Sequence, residues 1–385
     1  MRLTDNFRSL KRKSSMNIAE IFFRDWRNLA DVSFCPADAV NIFLGRNAQG
    51  KTNILEAINF VSLLRSRAGK ESELIRWGQS SAIVRVKFFK AGISHELAIE
   101  ISHDRRRRIL LDANPIRPRE LIGKLNSVLF SPEDLFMFKG SPSSRRKFLD
   151  AQISQAAPVY FLELSKYTRL VEIRNALLKR IRDGSAQSEE LDLWDEQLAF
   201  VADKVISKRL VAVDKLNVLA NTMQQKISAQ SENLSVVYDL RGLDSRENIS
   251  ENFLRTLRSR RFKDIQQGST SFGAHLDDLK FFINGHELKV FGSQGQLRTA
   301  ALALKLSELQ FIKSETGEYP LLLLDDVMSE LDTVRRELLL EFLRREEIQT
   351  LITATDRAYF PPRSFGKFFS VKAGRIAEVD LEVMA

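Results

Sequence analysis

The chain contains a single cysteine, Cys35, among its 385 residues. One cysteine excludes an intramolecular disulfide and any zinc site built from cysteines, and it is consistent with a reducing, intracellular setting. Long apolar runs are also missing. None approaches the roughly 18 residues needed to span a bilayer, and Leu321–Leu324 is bounded by Pro320 and Asp325. We therefore expect a cytoplasmic protein with no membrane partner.

The first residues are basic but lack the apolar core of a secretion signal. We interpret residues 1–16 as a loose N-terminal extension, with Met16 as an alternative start. The remaining length suits two domains, or one α/β domain with a large insertion. A net charge of +9 favours a polyanionic partner, nucleic acid first, although a solvated basic surface is equally compatible with it.

Residues 41–60 predict a buried strand, a phosphate-binding loop and a helix. The loop matches G-x-x-x-x-G-K-[ST], whose glycines let backbone N–H groups turn toward a polyphosphate. It consists of Gly45, Arg46, Asn47, Ala48, Gln49, Gly50, Lys51 and Thr52. Lys51 is predicted to reach the β- and γ-phosphates, and the helix N-terminus adds partial positive charge. Thr52 is predicted to hold Mg²⁺, so the expected ligands are ATP and Mg²⁺.

The acidic partners of this loop are expected in the sequence YPLLLLDDVMSELD, residues 319–332. Four leucines predict a fully buried strand of a parallel sheet. Asp325 at its end is predicted to bind Mg²⁺. Asp326 is predicted to orient or deprotonate the attacking water. We take Asp326, Asp325 and Lys51 as the catalytic set; the alternative is a carboxylate pair that only caps the next helix.

A second anion-binding helix end is predicted by four residues before an Ala/Leu-rich helix: Ser293, Gln294, Gly295 and Gln296. Two such ends cannot easily grip one γ-phosphate within a single subunit. We therefore expect the second end to face a nucleotide held by another copy of the chain.

Long helical periodicity from Ser144 to about Ser228, broken at residues 183–185, predicts an antiparallel helical arm. Two basic segments, residues 105–108 and 251–264, are compatible with either DNA contact or a solvated face. Asn17 to Phe34 predicts an edge hairpin. His275 with Asp277 and Asp278 could form a metal cluster, but structural hydrogen bonding is the preferred interpretation.

These motifs together resemble the ABC-type ATPase heads of the SMC and Rad50 group, and most closely the RecF family. The segments that resemble RecF motifs are, in chain order, GRNAQGKTNILEAI, FSPEDLFMFKGSPSSRRKFLD, GAHLDDL, SQGQLRTAALALKL and LLLLDDVMSELD. The resemblance implies an α/β P-loop head with a mainly helical inserted arm. We divide the chain into an ATPase head, residues 17–143 and 268–385 (lobe I), and an arm, residues 144–267 (lobe II).

The resemblance also implies a function. Two heads would dimerise around two ATP molecules, with Ser293 and Gly295 touching the γ-phosphate of the partner's nucleotide and Asp332 at the seam. The dimer would clamp gapped DNA or a single-strand to double-strand junction, and slow hydrolysis would release it. RecR and RecO would be partners in loading the recombinase for gap repair and the SOS response.

Four positions depart from the broader ABC pattern. The signature is SQGQ, the second acid is Asp326 in place of Glu, Glu133 or Asp134 replaces a glutamine, and Asp356 stands where transporters have a histidine. A short base without that histidine suggests slow hydrolysis, which suits a switch. A DNA-binding scaffold that never turns over ATP, and a transporter ATPase subunit, are the alternatives. A Rad50-like tether is excluded, because the chain has neither a long coiled coil nor a C-x-x-C hook.

Overall fold

The computed structural model describes residues 16–66, 69–243, 245–361 and 365–379, with only the backbone at 135 and 136. Of the extension predicted for residues 1–16, residues 1–15 lie outside these ranges. Met16 does not belong to a loose extension, because its side chain is buried and its N–H donates to the carbonyl oxygen of Tyr319 over 3.0 Å.

The described part of the chain forms strands and helices that we number in chain order. The strands are β1 Asn17–Arg24, β2 Val32–Phe34, β3 Val40–Leu44, β4 Ser81–Lys90, β5 Ile93–Ser102, β6 Arg108–Leu111, β7 Asn114–Pro115, β8 Ser127–Phe130, β9 Leu234–Asp239, β10 Asp278–Ile283, β11 His286–Glu287, β12 Leu321–Asp325, β13 Thr350–Ala354, β14 Lys367–Lys372 and β15 Arg375–Val379. The helices are α1 Lys51–Leu63, α2 Pro118–Leu121, α3 Pro142–Ala156, α4 Pro158–Arg182, α5 Leu191–Ile227, α6 Ile249–Gln267, α7 Leu288–Phe291, α8 Gln294–Thr316 and α9 Thr333–Glu346. Among the described helices, none combines the length and apolar character needed to cross a bilayer.

The chain divides into two compact units. The first contains the described residues of Met1–Pro132 and Ile312–Ala385, and the second is Glu133–Phe311. The boundaries differ from those expected at 143 and 268. Residues 268–311 belong with the helices because β10 pairs along its whole length with β9, and because Gln296 of α8 donates to Glu232.

The central sheet of the first unit has the order β15-β14-β3-β13-β12-β8. All its neighbouring pairs are parallel except β14 with β15. Strand β12 is buried along its whole length, as the four leucines predicted, and its neighbour β13 is buried as well. The segments after β3, β12, β13 and β8 therefore leave the sheet at one edge, where ligands of α/β proteins bind.

A second, antiparallel sheet in the same unit has the order β2-β1-β4-β5-β6-β7. The edge hairpin predicted for Asn17 to Phe34 is confirmed, because β1 pairs with β2 and β2 ends the sheet. One apolar core joins both sheets and α1. Trp26 lies fully buried in that core with its ring 5.3 Å from the ring of Phe60.

The second unit is built from α3 to α6, α7, most of α8 and a small antiparallel sheet with the order β11-β10-β9. Helices α4 and α5 run antiparallel. Arg174, late in α4, pairs with Asp195 early in α5, whereas Glu163, early in α4, pairs with Lys204 further along α5. The helical arm is thereby confirmed. At about 1.5 Å per residue, the 37 residues of α5 extend for some tens of ångströms.

Candidate functional site: a nucleotide cleft beside paired aspartates

The phosphate-binding loop connects β3 to α1 as the sequence predicted. Gly50, directly before α1, has φ of 105°, which a residue with a side chain rarely adopts. A Cβ on Gly50 would lie 2.5 Å from Oδ1 of Asn28, and one on Gly45 would lie 2.4 Å from the carbonyl oxygen of Val371. Gly50 is therefore required by its backbone conformation and by the nearby side chain of Asn28, and Gly45 by the close approach of the Val371 backbone.

The loop is held from outside by the connection between β14 and β15. The side-chain Oε1 of Gln49 accepts the N–H of Ala373 over 2.8 Å, and its carbonyl oxygen accepts the N–H of Gly374 over 3.0 Å. Gln49 is thus an anchor of the loop. Its neighbours Arg46, Asn47 and Ala48 are exposed.

Lys51 lies inside the loop. Its ammonium donates to the carbonyl oxygens of Gly45 and Arg46 over 2.6 and 2.9 Å, and the residue is 7% exposed. Burial lowers the pKa of Lys51, while the carboxylates of Asp326 and Asp325 act in the opposite direction. A buried cation flanked by two acids and a loop of backbone amides suits a phosphate chain that coordinates a metal ion.

A chain of hydrogen bonds joins the loop to the acidic end of β12. The hydroxyls of Thr52 and Thr353 each donate to Oδ1 of Asp325 over 2.9 Å. The N–H of Asp326 donates in turn to the oxygen of Thr353 over 2.9 Å. The register explains this, because Asp325 lies opposite Thr353 in the parallel β12–β13 ladder. One threonine hydroxyl therefore fixes both aspartates.

Asp326 is the second residue at this edge whose pKa is displaced from its ordinary value. Burial raises the pKa of its carboxyl, Asp325 and Glu330 add to the effect, and Lys51 opposes it. Its buried Oδ1 has no hydrogen-bond partner among the described residues. A partly buried carboxylate with a raised pKa and an unused acceptor is typical of a general base.

The cleft between these groups has a volume of about 250 Å³. Its lining consists of Asn47, Ala48, Gly50, Lys51, Thr52, Asn53, Asp325, Asp326 and Thr353. Three features of these residues fit ATP: the turn at Gly50, the buried Lys51, and the Oδ1 of Asp326 that lacks a hydrogen-bond partner among the described residues. They also fit Mg²⁺ held by Thr52, Asp325, phosphate oxygens and water, the ligand set that this ion prefers. Bound there, Mg²⁺ would neutralise charge on the phosphates.

A metal site made of protein ligands alone is not found among the described residues, where no group of three or more His, Cys, Asp or Glu is placed to hold an ion. The structural interpretation of His275 is confirmed. Its Nδ1 lies 2.8 Å from the hydroxyl of Tyr167 and its Nε2 3.3 Å from the carbonyl oxygen of Thr270. Asp277 accepts from Tyr238, and Asp278 pairs with Arg145.

The signature segment belongs to the second unit. Ser293 precedes α8 and its hydroxyl accepts the N–H of Gln296 over 3.2 Å, while the Gln296 amide oxygen accepts the N–H of Ser293 over 3.1 Å. This reciprocal cap uses Gln296 structurally. Ser293, Gln294 and Gly295 are exposed, and a Cβ on Gly295 would meet only the Ser293 hydroxyl, at 4.0 Å. The segment therefore presents open backbone at a helix N-terminus.

Other predicted positions have defined partners. Asp134, one of the two candidates for the glutamine position, pairs with Lys305 over 3.0 Å. Asp356 follows β13 and caps Ala358, and Asp332 caps α9. In the basic helix α6, Arg258 and Arg261 pair with acids of α5. The arginines of 105–108 include exposed members.

Sequence reasoning missed Thr353, the close approach of Asn28 to Gly50 and the anchoring of Gln49 by Ala373. A threonine inside an otherwise apolar buried strand was the available signal for Thr353, since a buried hydroxyl needs a partner. The anchoring contacts had no local signal, because they depend on which strands become neighbours.

The comparisons with known proteins agree with this geometry. The family profile described as RecF/RecN/SMC N terminal domain matches residues 17–371. The "DNA replication and repair protein RecF" of Halothermothrix orenii is 42% identical over 349 residues, 89% of this chain and 92% of its own length. The protein of that name from Heliobacterium modesticaldum is 40% identical, over 92% of this chain and 96% of its own.

Solved structures give the same result. A structure of "the recombination mediator protein RecF-ATP in RecFOR pathway" has a TM-score of 0.89 and 35% identity, and covers 97% of this chain and 100% of its own. An SMC head domain from Pyrococcus yayanosii, at 12% identity and TM-score 0.58, covers 95% of this chain and 98% of its own and shares the fold alone. The chain thus has the α/β P-loop head fold with a helical insertion, and it belongs to the RecF family.

Proposed function

We propose that this chain is an ATP-dependent, DNA-binding recombination mediator with a weak ATPase activity. The observation that carries the proposal is the hydrogen-bonded chain of Thr52, Asp325, Thr353 and Asp326 beside the buried Lys51. Such a chain serves a nucleotide triphosphate with Mg²⁺, and the RecF relatives include a mediator protein described with ATP. Lys51 would contact the phosphates, Thr52 and Asp325 would hold Mg²⁺, and Asp326 would take the proton of the attacking water.

The remaining loop residues would bind the phosphates through their backbone. Gly45, Arg46, Asn47, Ala48, Gln49 and Gly50 form this part of the proposed site. The exposed N-terminus of α8 would complete the site of a second copy. Ser293 and Gly295 would approach the γ-phosphate of that copy, with Gln294 and Gln296 beside them. Two heads would then close only while ATP is intact, which is the property of a switch.

The closed dimer would hold gapped DNA or a single-strand to double-strand junction, and slow hydrolysis would release it. RecR and RecO are the proposed protein partners, because the relatives act in the RecFOR pathway as their names state. Recombinase loading in gap repair and the SOS response would follow from that assignment, within the cytoplasm. The assignment of the first unit as the ATPase head and of the second unit as the arm is part of this proposal.

The test is the fluorescence anisotropy of a labelled gapped duplex at one fixed moderate salt concentration, with ATP and Mg²⁺ or with ADP and Mg²⁺. Salt is fixed because phosphate contacts make DNA affinity strongly dependent on it. We expect tight binding with ATP and weak binding with ADP. Ser293→Arg should abolish the ATP-dependent part, since a long cation would block the exposed helix end.

The matched control is Ser293→Thr, which keeps the hydroxyl that caps α8. It should bind the gapped duplex as the unmodified protein does, and circular dichroism should show both variants folded. Binding that ignores the nucleotide and both substitutions would contradict the ATP-driven clamp. A basic DNA-binding scaffold would then be the better description.

A further inference from the structure

Two exposed loops of the antiparallel sheet leave the β4–β5 pair at the same end. Ser81, the first residue of β4, lies opposite Ser102, the last residue of β5. One residue further out, the N–H of His103 donates to the carbonyl oxygen of Ser80 over 3.2 Å. The loops 76–80 and 103–107 therefore begin side by side, and we call their combined surface the loop patch.

The first loop places a tryptophan at its tip. The N–H of Gln79 donates to the carbonyl oxygen of Arg76 over 3.0 Å, and Gly78 has φ of 81°. Glycine with positive φ at the third position of such a turn puts the second residue, Trp77, at its apex. The side chain of Trp77 is 99% exposed, whereas Trp26 is fully buried. An indole held entirely in water offers both ring faces to a ligand.

The second loop supplies cations. Arg105 and Arg106 are exposed, and among the described residues no carboxylate pairs with either. Arg107, in contrast, pairs with Glu71. Trp77 is three residues from Ser80 and Arg105 is two residues from His103. At about 3.3 Å per residue each lies within roughly 10 Å of the joined ends.

We propose that the loop patch binds single-stranded DNA, with an unpaired base stacked on Trp77 and neighbouring phosphates paired with Arg105 and Arg106. An aromatic ring next to arginines is the arrangement that non-sequence-specific single-strand binding uses, because every base has a π-face. A continuous duplex keeps its base faces stacked inside the helix and cannot use the ring. This inference rests on the proposed DNA-binding function and deepens it: the loop patch recognises the unpaired stretch of a gap.

The test compares three labelled DNAs by anisotropy with ATP and Mg²⁺: an oligothymidylate of about 16 nucleotides, a gapped duplex and a continuous duplex. Trp77→Ala should lower the affinity for the oligothymidylate and for the gapped duplex about tenfold, since stacking is worth about 1–3 kcal/mol per base. Binding of the continuous duplex should change less than about twofold. Trp77→Phe keeps a ring and should retain most of the affinity.

Two further variants separate the components. Phe200→Ala removes an aromatic side chain that is 58% exposed on α5, outside both basic segments, and it should leave all three affinities unchanged. Replacing Arg105 and Arg106 together by Gln should reduce the slope of log affinity against log salt for the oligothymidylate by about 1.4, or about 0.7 per lost phosphate contact.

The outcomes distinguish this inference from the proposed function. If Trp77→Ala binds the gapped duplex normally while ATP still promotes that binding, the loop patch is not the site and the ATP-driven clamp stands. If Trp77→Ala loses oligothymidylate binding while the nucleotide has no effect, the loop patch stands and the clamp fails. The inference is overturned if Trp77→Ala weakens the binding of all three DNAs to the same extent. It is also overturned if the protein binds anionic phosphatidylserine vesicles through Trp77 and this substitution leaves DNA binding unchanged.

Discussion

At the scale of single residues, Asp326 depends on a backbone conformation that few residues adopt. It has φ of 55° and ψ of 24°, directly after the buried strand β12. Aspartate tolerates this region better than most residues, because its short polar side chain can bond locally. Its N–H is held by Thr353. The sharp turn thus returns the carboxyl to the cleft that Lys51 also lines.

Asp326→Asn is expected to lower the rate of ATP hydrolysis at least about 100-fold, because an amide cannot accept the proton of water. ATP affinity should change only a few-fold, since the amide has the same size and the N–H bond to Thr353 remains. Phosphate release under saturating ATP measures the first quantity, and binding of a fluorescent ATP analogue measures the second. Equal loss of both would point to a structural role for Asp326.

The matched variant is Glu330→Gln. The charge of Glu330 raises the pKa of Asp326, so its removal should lower that pKa. The base form of Asp326 would then persist to lower pH, and the acidic limb of the hydrolysis rate should move to lower pH with little change in the maximum. A limb that stays in place would exclude Asp326 as the titrating base.

The extent to which the sequence predicts this site follows from the range of each interaction. The loop, the strand β12 and the place of Asp326 directly after that strand depend on residues close in the chain, so motif and periodicity predicted them. Thr353 reaches Asp325 only because β13 lies beside β12, and Gln49 reaches Ala373 only because β14 lies beside β3. Strand order is a property of the folded chain, so these contacts had no local pattern.

At the scale of elements, the helices of the second unit are joined by buried ion pairs. The guanidinium of Arg174 on α4 is fully buried and donates to Asp195 of α5 over 2.7 Å and to Asp264 of α6 over 2.8 Å. Arg261 also pairs with Asp195. Three helices therefore share one network, which helical periodicity could not reveal because these positions count as polar.

Arg174→Met should destabilise the second unit by about 3–5 kcal/mol, because two buried carboxylates lose their shared cation. Urea unfolding followed by circular dichroism measures the change. The control is Arg169→Met on the same helix. The ion pair of Arg169 with Glu172 is mostly exposed, so its loss should cost less than about 1 kcal/mol. Equal stabilities of the two variants would contradict the proposed importance of the network.

A second buried cluster joins two residues of α8 to Asp134, and it contains one ammonium group and two carboxyl groups. The ammonium of Lys305 lies 3.0 Å from Asp134 and 3.1 Å from Glu308. Burial raises the pKa of Glu308 to about 8, with Lys305 opposing the shift and Asp134 adding to it. Below that pH the cluster is a single ion pair beside a neutral carboxyl group.

The cluster predicts a pH dependence of stability. The unfolded state ionises Glu308 near the ordinary glutamate pKa of 4.5, and the folded state only near 8, so the stability from this group falls as pH rises between these values. Glu308→Gln mimics the neutral form and should flatten that fall. The difference in melting temperature between the variant and the unmodified protein should therefore grow by a few °C, in favour of the variant, as pH rises from 5 to 8.5. Glu315→Gln, an exposed change on α8, should show no such gain, and a gain there would contradict the assignment.

At the scale of the whole molecule, the sequence predicted a division into two parts, and the structure has two compact units with different boundaries. Residues 133–143 and 268–311 belong to the second unit, so the signature segment and the loop after β8 fold with the helices. Sequence motifs placed them with the head because they resemble ATPase motifs in chain order. Hydrogen bonds such as those from Gln296 to Glu232 decide the actual division.

The proposed clamp requires that two copies associate only with ATP. Light scattering after size exclusion should give a mass near 44.1 kDa without nucleotide and about twice that with ATP and Mg²⁺. Asp326→Asn should keep the dimer longest, because it retains ATP binding while slowing hydrolysis. Ser293→Arg should remain a monomer although it still binds ATP, since its own loop is unchanged. A Ser293→Arg dimer, or a dimer of the unmodified protein that forms equally with ADP, would show that the helix end does not close on the partner's nucleotide.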